Sequence, residues 1–118
     1  MFGAICGDTI GSTYEFDNTK DYGFELFPKG SSYTDDSVMT LAVAKWLLTD
    51  AEHTHGVLEN CMVELAEEYP CPVGGYGGMF REWLFRPRAL NGRNGSPVDG
   101  KRHPYGSWGN GSAMRASA

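Results

Sequence analysis

The sequence predicts an all-α fold. Apolar residues recur at helical spacing in four stretches, 1–16, 38–48, 53–69 and 76–86, and no stretch alternates with a period of two. Clusters of Gly, Pro, Asn and Asp separate these stretches and mark long connections. Helices without a strand to cover must pack on one another. No internal repeat, low-complexity tract or composition break divides residues 1–118, so a single domain is expected.

The first stretch, MFGAICGDTIGSTYEF, places Gly3, Gly7 and Gly11 four residues apart. On a helix they make a smooth stripe for close backbone packing, and tertiary contacts must then offset their poor helix propensity. Asp8, Ser12 and Glu15 fall at i, i+4 and i+7 on one face. That face is either solvated or turned into a site, and the solvated reading is the simpler. Residues 17–33 form a connection long enough to be functional or to move, and Glu15 stands at its start.

The pivot of the chain is Ser31-Ser32-Tyr33-Thr34-Asp35-Asp36-Ser37. Thr34 has the chemistry of an N-cap, and two carboxylates in a first turn suit the helix dipole. The helix behind them, 38–48, is apolar on nearly every side with Lys45 its lone charge, the pattern of a buried helix. Two adjacent anions beside the interior are costly unless a cation or donors meet them. Thr-Asp-Asp is also a set of hard oxygen ligands, suited to Mg²⁺ or Mn²⁺ rather than zinc. From the residues alone, cap and metal site stand level.

Residues 53–69 carry the cleanest amphipathic pattern. Val57, Leu58, Cys61, Met62, Leu65, Ala66 and Tyr69 share one face, glutamates take the other, and Pro70 ends it. Gly74-Gly75-Tyr76-Gly77-Gly78 lacks both the preceding strand and the following Gly-Lys-Ser/Thr of a phosphate loop, so it reads as a flexible lead-in to the next helix. That helix carries a core stripe of Tyr76, Met79, Phe80, Trp83 and Leu84 and stops before Pro87. Residues 87–109 are rich in Gly, Asn and Pro and hold the basic run Lys101-Arg102-His103, expected to be solvated. At 109–112, Gly-Asn-Gly-Ser precedes a short run of small residues. Free N–H groups there could meet an anion; otherwise the stretch is a plain turn with Arg115 exposed.

Composition narrows the partners. Net charge is −5 and no basic stripe with interleaved aromatics exists, which argues against nucleic acid. No apolar run has membrane-spanning length, and the N-terminus lacks a charged leader, so the expected setting is cytoplasmic. The three cysteines follow no metal or redox spacing and are expected as free, buried thiols.

Three stretches together resemble the ADP-ribosylglycohydrolase family: Gly3 to Phe16, Tyr33-Thr34-Asp35-Asp36-Ser37-Val38-Met39-Thr40, and Gly109-Asn110-Gly111-Ser112-Ala113-Met114-Arg115. The resemblance covers essentially the whole chain. It implies an orthogonal all-α helical bundle that hydrolyses the glycosidic bond between ADP-ribose and a protein side chain or related acceptor, using two Mg²⁺ or Mn²⁺ ions. Thr34, Asp35 and Asp36 are the implied metal ligands. The catalytic base would come from Glu15, Asp35 or Asp36. Gly109, Asn110, Gly111 and Ser112 would line the ADP-ribose pocket, and Asp8 would be structural. Members carry a second metal motif of the type Gly-Gly-Asp-Thr-Asp-Thr, which this sequence lacks. The expectation is therefore a truncated, N-terminal portion with an incomplete metal site and apolar faces open to self-association or to a complementing C-terminal half. The competing expectations are a non-catalytic remnant that binds ADP-ribose or a partner chain, and a purely structural helical module.

Overall fold

The computed structural model describes residues 1–86 and 102–118. The architecture is all-α, with α1 Phe2–Gly11, α2 Asp35–Thr49, α3 His55–Glu68, α4 Gly78–Phe85 and α5 Gly111–Met114, followed by a 3-10 turn, Arg115–Ser117. Among the described residues there is no strand, only a parallel bridge between Thr34 and Val73. No helix among them is long and apolar enough to cross a membrane.

α2 and α3 form the centre. Val38, Met39 and Ala42 of α2 meet Cys61, Met62 and Ala66 of α3, and Tyr76 and Leu84 close the cluster from the α4 side. The helical residues are buried because their spacing puts them on the facing stripe, whereas Tyr76 enters from the loop before α4, its hydroxyl donating to the Tyr69 carbonyl. Lys45 of α2 and Glu64 of α3 pair at 2.5 Å across the rim, an exposed contact worth little in stability. Trp46 Nε1 donates to the Thr54 carbonyl, which ties the α2–α3 turn back onto α2.

Two expectations change here. α2 is not buried all round: Ser37, Val38, Met39 and Thr40 are covered, while Leu48 at its far end is 84% exposed. Its apolar sequence outruns the neighbours that the described residues supply. α1 is not a glycine-packed helix. It has no buried residue, and a Cβ at Gly3, Gly7 or Gly11 would meet no described atom within 4 Å. α1 is held instead by polar contacts at its C-terminal end. The thiols also differ from expectation, since Cys61 is buried but Cys6 and Cys71 are exposed.

The C-terminal segment is fastened to α4. Arg102 lies 4.9 Å over the Trp83 ring and donates to the Leu84 carbonyl, while Trp83 Nε1 donates to the His103 carbonyl. These contacts bring 105–115 back across the molecule, to the N-terminal end of α2. Lys101, the first residue of the expected basic run, lies outside the described residues.

Candidate active site

Thr34 caps α2. Its backbone is extended, with φ −110° and ψ −173°, and Oγ1 accepts the Asp36 N–H at 3.2 Å. The Thr34 hydroxyl donates in turn to Asp8 Oδ1 at 2.5 Å. Asp8 Oδ2 accepts from the Thr34 N–H at 2.9 Å, from the Ser37 N–H at 3.3 Å and from the Ser37 hydroxyl. One α1 carboxylate thus satisfies four donors at the start of α2. Helix N-termini leave such N–H groups without partners, and a carboxylate there also answers the dipole. The structural role expected for Asp8 is this junction.

That cap leaves Asp35 and Asp36 free to face outward from the helix end. Neither forms an ion pair with a basic side chain among the described residues. Partial burial pushes Asp35 up to about 6, and the neighbouring Asp36 charge adds to it. Asp36 is also raised, first by burial and then by Asp8. These are anions held where water solvates them poorly, which is the condition under which a cation gains most.

A cavity of about 1280 Å³ opens in front of them, and Asp8, Glu15, Thr34, Asp35 and Asp36 lie in its wall. So do the loop 74–78, the segment 107–112 and Arg115. All three stretches that carry the family resemblance therefore meet at one place, including Gly109, Asn110, Gly111 and Ser112. Glu15 reaches it differently from the helical-face prediction. α1 ends at Gly11, and Glu15 lies beyond the turn that follows. Its carboxylate rests against the 74–78 loop, where a Cβ on Gly74 would lie 3.1 Å from Oε2.

The 74–78 loop is part of the site, not merely a lead-in to α4. Gly74, Gly75 and Gly77 have φ of +78°, +72° and +68°, a region that strains other L-residues. Val73 N–H donates to the Tyr33 carbonyl at 3.3 Å, so the loop is pinned directly beside Thr34. Its four glycines were the visible signal; the pinning partner, forty residues earlier in the chain, was not.

Arg115 is the second residue that sequence reasoning missed. Rather than being exposed, its guanidinium lies 4.6 Å over the Phe80 ring, and its Nε is buried. A Cβ on Gly111 would fall 2.7 Å from Arg115 Nη2, so a side chain at 111 would make the guanidinium shift. The helix that follows the 109–112 segment, α5, has only four residues and no side-chain cap hydrogen bond.

The donor set suits a hard divalent ion. It offers oxygen only, its two carboxylates are not ion-paired, and the Thr34 hydroxyl keeps one lone pair after its two hydrogen bonds. Among the described residues no three His, Cys, Asp or Glu side chains converge as a closed ligand set. Mg²⁺ commonly accepts one or two carboxylates and fills the rest of its shell with water or substrate oxygens. When bound, such an ion supplies Lewis acidity and acidifies water.

An all-α chain with acidic side chains at a helix N-terminus, glycine loops and one large cavity is a candidate for hydrolytic chemistry on a polar ligand. The sequence matches the family described as ADP-ribosylglycohydrolase over residues 1–118, the whole chain. The chain belongs to that family. Neither a curated protein nor a solved structure matches it.

Proposed function

We propose that this chain hydrolyses the glycosidic bond between ADP-ribose and an acceptor group in a divalent-cation-dependent reaction. The observation that supports the reading is the convergence of the three family-like stretches on one cavity, whose wall holds four carboxylates, Asp8, Glu15, Asp35 and Asp36. In this reading Thr34, Asp35 and Asp36 supply oxygen ligands to Mg²⁺ or Mn²⁺. The 109–112 segment and the 74–78 loop receive the ADP-ribose, offering backbone N–H groups that approach closely because glycine leaves room. Glycoside cleavage passes through an oxocarbenium-like state, so a carboxylate near the ribose stabilises developing positive charge and removes a proton from the attacking water. We assign that work to Glu15, which is exposed in the cavity wall and lies outside the cap network.

The absence of a three-ligand cluster among the described residues favours a second reading, in which the chain binds ADP-ribose without turning it over. Release of ADP-ribose from ADP-ribosylated peptides, measured with Mg²⁺, with Mn²⁺ and with chelator, separates the two. Cation-dependent release that Asp36→Asn lowers at least ~100-fold supports the hydrolase. Calorimetric binding of ADP-ribose without release would establish the binder and overturn the hydrolase.

A further inference from the structure

The Glu15 carboxylate stands in the cavity wall beside Gly74 with no polar partner of its own. Among the described residues its side chain makes no hydrogen bond and no ion pair, and it is exposed. An exposed glutamate keeps much of its rotamer freedom, so its placement depends on how firmly its backbone is held. The residue before it is held firmly. The Tyr14 N–H donates to the Gly11 carbonyl at 2.9 Å, in the turn that ends α1. Its hydroxyl donates to the Glu25 carbonyl at 2.8 Å. Its ring meets Phe24 edge-on, with centroids 5.3 Å apart and planes at 80°. Phe24 is half-buried there, while Tyr22, Leu26 and Phe27 around it are exposed. The loop thus turns one aromatic ring inward, and that ring packs on Tyr14. The loop is also braced within itself, where Asp21 accepts the Gly23 N–H at 2.9 Å, and at its far end, where Ser12 Oγ accepts the Ser32 N–H at 3.1 Å. Tyr14 and Glu15 both line the cavity; Phe24 and Glu25 do not.

We propose that Tyr14 is a positioning residue for Glu15: its contacts with Phe24 and Glu25 strap the 17–33 loop to the end of α1 and so fix where the Glu15 carboxylate stands. This rests on the reading of Glu15 as the base and deepens it. Neighbouring Cα atoms are about 3.8 Å apart, so a shift of the Tyr14 backbone passes directly to Glu15. A base must stand within hydrogen-bond reach of the water it activates. Misplacement by about 1 Å costs on the order of 100-fold in rate. The Tyr14 hydroxyl is committed to the Glu25 carbonyl, so the strap acts on the chemical step and leaves ligand affinity to the rest of the wall. A Tyr14 that only packed the loop would change stability alone.

The test follows release of ADP-ribose from an ADP-ribosylated peptide by the full chain with Mg²⁺. It compares wild type, Tyr14→Phe, Phe24→Leu, Glu15→Gln and each of the first two variants combined with Glu15→Gln. Tyr14→Phe keeps the ring and removes the donor; Phe24→Leu removes the ring partner from outside the cavity. Each is expected to lower kcat about tenfold, with KM within about twofold of wild type. In the Glu15→Gln background neither should lower the remaining rate more than about twofold, because the strap has no carboxylate left to place. Equal losses with and without the Glu15 carboxylate overturn the proposal, since Tyr14 would then shape the cavity as a whole. Release by wild type that Tyr14→Phe leaves unchanged overturns the proposal and leaves the hydrolase standing. No release by wild type overturns the hydrolase reading and this role together. Either single variant carries the contrast if the other fails to fold. A readout without turnover is peptide-resolved amide exchange. Tyr14→Phe should speed exchange in 12–16 and 22–27 about fivefold or more and leave 55–68 unchanged. No change in 12–16 and 22–27 overturns the proposal.

Discussion

Asp35 titrates in the folded chain at about 6 against a usual carboxylate value of 3.8, chiefly because burial disfavours its charge. The folded state therefore binds a proton more readily than the unfolded chain between those two values. Stability contributed at this position is greatest below about 4 and is lost as pH rises through about 6. The full shift corresponds to about 3 kcal/mol, and half-exposure cuts that to roughly 1–1.5 kcal/mol. Asp35→Asn should thus stabilise the chelated protein by about 1 kcal/mol at pH 7.5 and by almost nothing at pH 4, read as the urea midpoint at each pH. A variant less stable than wild type at pH 7.5 would show that the carboxylate makes favourable contacts in the fold. Divalent cation reverses the order at pH 7.5 if Asp35 is a ligand, because the ion stabilises only the acid.

At the scale of elements, the joint between α1 and α2 is one carboxylate. Asp8 takes four donors from Thr34 and Ser37, two of them backbone N–H groups of the α2 N-terminal turn. Asp8→Ala leaves those donors without their acceptor and should cost roughly 2–3 kcal/mol, measured by equilibrium unfolding. Because α1 buries no side chain of its own, the same substitution should release α1 first, seen as faster amide exchange in 2–11 than in α3. Much of this was legible. The 3.6 period located α2, α3 and α4, and the residue type at 34 announced the cap that the structure contains. What periodicity could not supply was the end of α1. Its glycine spacing continues a helical pattern to Glu15, but the chain turns after Gly11 because the Ser12 hydroxyl bonds the Thr9 carbonyl and accepts the Ser32 N–H from across the fold. The site was half legible for the same reason. Thr34, Asp35 and Asp36 declare themselves by chemistry, whereas Arg115 enters only because contacts between 102–103 and α4 carry it there.

Taken whole, the molecule gathers four acids around one space while leaving several apolar side chains uncovered by described residues, among them Phe2 at 80% and Phe16 at 79% exposed. Its stability should consequently respond to what fills the cavity as well as to the α2–α3 core. Mg²⁺ at ten times its dissociation constant should stabilise the fold by about 1.4 kcal/mol. That corresponds to a rise in melting temperature of roughly 3–6 °C for a chain of this size. The rise should be absent in Asp35→Asn/Asp36→Asn, with differential scanning fluorimetry as the measurement.

Trp108 stands in the cavity wall with 99% of its surface open to water. Trp83, by contrast, stacks on Phe80 and carries Arg102 over its ring, and Trp46 packs against the core. Three indoles in such unlike surroundings make the protein its own optical reporter. The red-shifted part of its emission belongs to Trp108, and a ligand that enters the cavity should shield that ring, shift the emission to the blue and protect it from quenching by iodide. Trp108→Phe should remove the signal without unfolding the chain, so occupancy can be followed in solution with no label attached.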